Sequence, residues 1–197
     1  MDIEVGPPPR PPIFLPLERQ WLLAWARGSI ARHLTGGSAG RWPAEPPPAV
    51  AALRSCMVAI RSRSGTLRGC MGSYDARQPL WQQVQESAIA AATADSRFVP
   101  LAPHELDTCV MELTVLTPPQ PLLAAQLRPG EQGVWVERPG CRGVVLPHVA
   151  ASFGWDAATC LEQACIRAGL DAEAWRDDSV AVYGFVTEAF SESERWI

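Results

Sequence analysis

The chain has 197 residues, of which 47% are hydrophobic and 19% charged, proportions typical of an ordinary globular protein. Its formal net charge of -4 gives no broad basic surface for nucleic-acid phosphates, so nucleic-acid binding is a distant third among the functions considered. All 17 basic residues are arginine, and the lack of lysine excludes a lysine Schiff base and a Walker-type phosphate lysine.

Residues 1–16 are rich in proline, which predicts an extended or disordered segment before the first helix. Acidic residues and prolines stand where a secretory signal needs an apolar run, and the sequence contains no candidate transmembrane stretch. Six cysteines without such a signal are typical of reduced thiols. We therefore expect a cytoplasmic protein without disulfides and without a membrane partner.

The first predicted elements are a helix and a hairpin. Residues 17–34 repeat apolar side chains at helical spacing, and two glycines end that helix. After a connector rich in glycine and proline, residues 56–61 alternate like a strand. Ser64-Gly65 is a turn signal, so we expect residues 66–71 to return as the second strand of an antiparallel hairpin.

Helices and strands continue to alternate along the rest of the chain. Pro79 suits the first turn of a second helix, and residues 109–117 form a β-branched strand. A second hairpin turns at Pro139-Gly140, Asp156 caps a further helix, and residues 180–190 supply a last strand. Hairpins interrupted by helices favour an α+β fold with a largely antiparallel sheet, and the repeated hairpin-then-helix order hints at a duplication.

The segment "LRGCMGS", residues 67–73, resembles the hallmark motif of the AmmeMemoRadiSam system protein A family, also called the AMMECR domain family. Five further stretches agree in order: "LLAWARGSI", "DSRFVPL", "ELTVLTPPQPL", "LPHVAASFGWD" and "CIRAGL". The similarity covers residues 17–190, which we assign to one AMMECR-type domain. This leaves residues 1–16 as a Pro-rich N-terminal segment and 191–197 as a C-terminal tail.

The resemblance implies two unequal subdomains that flank a cleft, with the hallmark motif near the cleft. It also implies that the protein works with a Memo-type protein and a radical-SAM protein. It specifies no reaction and no cofactor, and it leaves the subdomain boundary open.

Residues 67–73 suggest chemistry of their own. On a strand, Leu67 and Met71 would point into the core, with Arg68 and Cys70 on the opposite face. An arginine two residues from a thiol favours the thiolate, so Cys70 is a candidate nucleophile, redox centre or metal ligand. The alternative is that Cys70 is a small buried hydrophobe and that the neighbouring glycines allow close packing.

The candidate site has two groups of residues. Cys70 and Arg68 are the candidate catalytic residues. The candidate ligand-binding residues are Leu67, Gly69, Met71, Gly72, Ser73, Arg97 and His148. The glycines would give a ligand access to the backbone, and Arg68 would bind an anionic part of it. Asp95 and Arg97 are expected either to pair locally or to form an anion clamp with Arg68.

Metal binding is disfavoured, because the sequence has no C-x-x-C and its three histidines are widely separated. A Cys–His pair would require Cys70 to meet His104 or His148 in space. Two functions remain: a cleft enzyme, or enzyme subunit, that acts on a small molecule through Cys70, and a non-catalytic module whose cleft binds a peptide, cofactor or partner. A reactive Cys70 should be exposed with a lowered pKa, and a packing one should be buried.

Overall fold

The computed structural model describes residues 14–37 and 45–193. Within these ranges the chain forms four α-helices and eight strands: α1 (Pro16–Leu34), β1 (Ser55–Ser62), β2 (Leu67–Ser73), α2 (Leu80–Thr93), β3 (Cys109–Leu116), β4 (Gln120–Pro121), β5 (Gly133–Arg138), β6 (Cys141–Val145), α3 (Pro147–Phe153), α4 (Ala157–Arg167), β7 (Ala181–Phe185) and β8 (Thr187–Ser191). Two compact units result. The larger unit contains the described residues up to 116 and from 188 onward, and the smaller unit contains residues 117–187.

The larger unit is built on a four-stranded sheet with the order β2-β1-β3-β8. The strands β1 and β2 form the predicted antiparallel hairpin, with Cys56 opposite Ser73 and a register shift beside Arg61. Gly65 supplies the turn with a φ of 87°, a left-handed value that glycine adopts without a steric penalty. The first predicted hairpin is therefore confirmed.

The helices α1 and α2 complete the core of the larger unit. In α2 the apolar side chains at helical spacing are buried: Leu80, Val84, Ala88 and Ala91. It meets the alternating apolar side chains of the sheet, among them Val58 and Ile60 of β1. Burial of these apolar surfaces is the main contribution to the stability of the unit.

The smaller unit has its own antiparallel sheet, in the order β4-β7-β5-β6. Its hairpin turns at Gly140, with a φ of 82°, as predicted. The carboxylate of Asp156 accepts a bond from the Thr159 N–H and caps α4, whose face with Leu161 and Ala164 is buried. The α+β fold with antiparallel pairing is thus confirmed, with two separate sheets.

The last predicted strand, residues 180–190, is divided, so the expectation of one continuous strand is wrong. β7 belongs to the sheet of the smaller unit, and β8 lies beside β3 in the larger unit. Between them, Val186 accepts a bond from the N–H of Thr117 and donates one to its hydroxyl. At the division, Val186 is therefore bonded to Thr117 instead of pairing with a neighbouring strand.

The termini are only partly described. Residues 1–13 of the predicted Pro-rich segment and residues 194–197 of the predicted tail lie outside the described residues. Glu192, which was assigned to the tail, is joined to the sheet through a backbone bond to Met111 and an ion pair with Arg27. In the part of the chain that the structure describes, no helix is long and apolar enough to cross a membrane.

Candidate functional site

The hallmark segment occupies an edge strand of the larger unit. β2 pairs with β1 on one side, and Cys70 stands opposite Ala59. Met71 packs against the core and Gly69 is buried beneath α2, so this is the core face of the strand, as the alternation predicts. Cys70 and Arg68 lie on the other face.

The backbone of Cys70 is bound on its outer side by two residues from the loop after α2. Its N–H donates to Oδ2 of Asp95 at 2.9 Å, and its C=O accepts from Nη2 of Arg97 at 3.3 Å. Asp95 and Arg97 also bind each other through two bonds, of 2.9 and 2.6 Å. The predicted local Asp–Arg pair is therefore confirmed, and it occupies the place of a neighbouring strand at this point of the sheet edge.

The Asp95 carboxylate is buried and ionised. Its side chain is 5% exposed, and bonds from the Arg97 side chain and from the backbone N–H groups of Cys70 and Arg97 hold its pKa well below the usual range. Charge-assisted bonds of this kind are stronger than neutral ones. Asp95 and Arg97 therefore stabilise the edge of β2.

The surroundings of the Cys70 thiol do not favour the thiolate. The residue is half-buried, and burial raises the pKa of its thiol. Arg97 and Arg61 act in the opposite direction, and Asp95 and Glu112 reinforce the increase. The expectation that an adjacent arginine makes Cys70 acidic is therefore wrong.

The Arg68 side chain binds residues that follow α2 in the chain and does not act on the Cys70 thiol. Its Nη2 lies 3.0 Å from Oε1 of Glu105, and its Nη1 lies 3.5 Å from the carbonyl oxygen of Val99. The backbone N–H of Ala102, and after it Arg68, lower the pKa of Glu105. A ligand anion at Arg68 would have to compete with this carboxylate.

The two glycines of the motif are explained by packing. A Cβ at residue 69 would overlap the carbonyl oxygen of Ala91 in α2, and a Cβ at residue 72 would overlap the backbone of Cys56 and meet the sulfur of Met57. Close packing of the Cβ side therefore explains both glycines without a ligand, and the expected access of a ligand to their backbone stays a prediction.

Comparison with known proteins places this geometry in a family. Residues 23–190 match the AMMECR1 family. The chain belongs to the AMMECR1 family. A protein of Methanothermobacter thermautotrophicus is 38% identical over 189 residues, which cover 91% of this chain and 98% of that one. A protein of Thermofilum pendens is 36% identical over 188 residues, or 87% and 88% of the two chains.

A solved structure has the same fold as this AMMECR1-family chain. The crystal structure of an uncharacterised protein from Pyrococcus horikoshii is similar with a TM-score of 0.76 and 31% identity. The match covers 88% of this chain and 92% of that one. The AMMECR-type resemblance seen in the motifs is thus confirmed across nearly the whole chain.

Three other predicted site residues of this AMMECR1-family chain have different surroundings. Leu67 is half-buried at the start of β2, opposite Arg61. Ser73 ends the strand, where its hydroxyl accepts a bond of 3.0 Å from the N–H of Asp75. His148 is exposed in α3 of the smaller unit.

Within residues 14–37 and 45–193, no cluster of three or more His, Cys, Asp or Glu side chains is arranged to hold a metal.

The sequence reasoning missed a shallow groove beside the hallmark strand of the AMMECR1-family domain. Met71 and Gly72 of β2 line it on one side, and Gln83, Glu86, Ser87 and Ala90 of α2 line it on the other. Gln83 and Ser87 are buried and bonded to each other at 3.1 Å. The available signal was a pair of polar residues at helical spacing, four apart, inside an otherwise apolar stripe.

Proposed function

We propose that this AMMECR1-family chain is a non-catalytic binding module whose recognition surface is the hallmark strand β2 and the groove beside it. The observation that supports this function is the state of Cys70. Its backbone N–H and C=O are held by Asp95 and Arg97, and burial raises the pKa of its thiol. The Cys70 backbone is therefore held in place, and its thiol is not activated.

A thiol nucleophile needs the opposite environment. The reactive form is the thiolate, and catalytic cysteines form it because their pKa is lowered or because a general base lies beside them. Here the Asp95 carboxylate binds the Cys70 backbone and the Arg97 guanidinium, and it adds negative charge beside the thiol. A strand held in place, with a thiol that is not activated, suits recognition, because a preorganised surface loses less entropy when it binds.

The proposal includes partners and a place of action. We infer a Memo-type protein and a radical-SAM protein as the functional partners, in the cytoplasm. This inference is supported by the resemblance of the hallmark motif and by the domain-wide family match. The ligand at the β2 surface is a segment of a partner or a small molecule.

Alkylation of Cys70 at increasing pH tests the absence of catalysis. The parent protein is treated with iodoacetamide, and modification of Cys70 is followed by peptide mass spectrometry beside a free cysteine peptide with a pKa of about 8.5. We expect Cys70 to react at higher pH than the peptide. A reaction midpoint below that of the peptide would overturn the proposal.

Binding is tested separately by calorimetric titration with a Memo-type protein from the same genome. We expect the parent and Cys70→Ser to bind it with equal affinity, since the proposed contact does not use a thiolate. Absence of binding by the parent would remove this partner from the proposal.

A second candidate function is thiol catalysis on a small molecule, with Cys70 as the nucleophile. It is favoured by the guanidinium groups of Arg97 and Arg61, which act on Cys70 in the direction of the thiolate. The same alkylation experiment decides between the two functions, because only a thiol enzyme requires the low reaction midpoint.

A further inference from the structure

We propose that the groove between β2 and α2 takes a short extended peptide segment that carries a basic residue and adds to the sheet edge at Gly72. The inference rests on the proposed binding function and names the class of ligand. An extended peptide that joins an exposed sheet edge forms main-chain hydrogen bonds, and the neighbouring groove selects its side chains.

Among the described residues, the sheet edge next to Cys70 is exposed at Gly72. β2 is the edge strand of its sheet, and the N–H and C=O of Cys70 point outward to Asp95 and Arg97. Because backbone groups alternate along an antiparallel strand, those of Gly72, two residues on, point outward as well. Gly72 is exposed, so a peptide can reach the position that the Asp95–Arg97 pair blocks at Cys70.

The groove limits the segment to a few residues. Its helical side runs from Gln83 to Ala90, which is about 10 Å of helix. Three residues of extended chain span about the same length. The Asp95–Arg97 pair stops the added strand at one end, so the ligand is a short segment and not a long strand.

The charge of the groove selects a basic residue. Glu86 lies in it, and the bond of 2.8 Å that it accepts from Gln78 comes from a neutral amide. Among the described residues, no arginine forms an ion pair with Glu86. Gln83 and Ser87 add buried polar groups, and Met71 and Ala90 add apolar surface. A lysine, arginine or free amino terminus on the peptide matches this lining.

The test uses a displayed library of random twelve-residue peptides, and a synthetic copy of the most enriched peptide is then titrated into isotope-labelled protein. We expect the amide signals of Met71, Gly72 and Ala90 to shift, and we expect the enriched peptides to share a basic residue. Methylation of the peptide nitrogen that bonds Gly72 should weaken binding about tenfold or more, because it removes a main-chain bond.

Two variants of α2 provide the matched comparison. Glu86→Arg should weaken the same peptide about tenfold, since it reverses the charge of the groove. Gln85→Arg adds the same side chain one residue away, outside the lining, and should leave the affinity unchanged. Both positions are at the surface or half-buried, so the amide spectrum of each variant should remain that of a folded protein.

Three results would overturn the inference: no enriched peptide, shifts that avoid Gly72, or equal effects of the two arginine variants. None of them would by itself remove the proposed binding function, which is tested by the alkylation of Cys70 and by the titration with a Memo-type protein. Conversely, a low alkylation midpoint would remove that function even if a peptide shifted the Gly72 signal.

Discussion

Asp95 accepts a hydrogen bond of 2.9 Å from the backbone N–H of Cys70, 25 residues away in the sequence. Together with Arg97, which donates to the Cys70 carbonyl, it binds the edge of the sheet as a neighbouring strand would. Edge strands expose backbone groups that invite unwanted pairing, and proteins commonly cover them. Here the cover is a loop, and it leaves Gly72 open.

Asp95→Asn should make the protein less stable at neutral pH and weaken its dependence on pH. The folded-state pKa of Asp95 is lowered, so its contribution is complete above the unfolded-state pKa of about 3.9 and is lost as the pH falls toward the folded-state value. Urea unfolding midpoints from pH 7 downward should therefore differ most at pH 7 and converge in acid.

Asp178→Asn is the control for this experiment, since it removes one exposed carboxylate from the smaller unit. Its midpoint should stay close to that of the parent throughout. If Asp95→Asn behaves in the same way, the carboxylate does not support β2.

Gly69→Ala should destabilise the larger unit by roughly 3 kcal/mol, because the new Cβ overlaps the Ala91 carbonyl and α2 has to move. Gly143→Ala in the smaller unit should cost about as much, since a Cβ there overlaps the Ala164 carbonyl of α4. Thermal unfolding of both variants measures these costs.

The hairpin glycine Gly65 provides the comparison for both variants. Apart from its chain neighbours, no described residue has an atom within 4 Å of its Cβ position. Its substitution by alanine therefore meets the strain of a φ of 87°, about 1–2 kcal/mol. Equal costs at residues 65 and 69 would contradict a packing role for Gly69.

Cys70→Ala should cost about 1 kcal/mol or less, because the thiol is half-buried and the bonds to Asp95 and Arg97 involve only the backbone. Cys56→Ala should cost about 2 kcal/mol, since that side chain is fully buried and leaves a cavity. Denaturant curves of the two variants measure the difference.

The two thiols should also differ in labelling. Burial raises the pKa of Cys56 to about 12, so it should be modified only when the chain unfolds. Labelling of Cys56 in the native state, or a larger stability loss at Cys70 than at Cys56, would contradict the described burial.

Arg27→Ala should cost about 2–4 kcal/mol, because this side chain joins α1 to the carbonyl oxygens of Leu106 and Cys109 and to the carboxylate of Glu192. The free energy of unfolding in urea measures the effect. Arg77→Ala is the control: its side chain is 83% exposed and pairs with Asp75, so its loss should change stability by less than about 0.5 kcal/mol.

The two glycine–helix contacts strengthen the hint of duplication. Each unit has a hairpin whose second strand carries an arginine and then a glycine, Arg68-Gly69 and Arg142-Gly143. Each glycine lies beneath an alanine carbonyl of a helix that follows in the chain. The repeated Arg-Gly dipeptide is visible in the sequence, but only the structure shows that each glycine makes room for a helix.

The sequence by itself determined the local elements. Gly65 and Gly140 mark the hairpin turns, Asp156 marks the start of α4, and alternation identifies the core face of β2. These features depend on backbone preferences and on the period of apolar residues, which act over a few neighbours. The family motifs add the fold of the whole domain, because they agree in order along the chain.

Only the tertiary structure decided the partners of the site residues. Arg68 pairs with Glu105 and not with the thiol two residues away, and the Cys70 backbone bonds to Asp95. The alternation of apolar side chains in residues 180–190 likewise does not show that these residues divide between two sheets. The physical reason is the same in each case: these bonds join segments brought together by packing, and a local pattern carries no information on which distant group will lie within bonding distance.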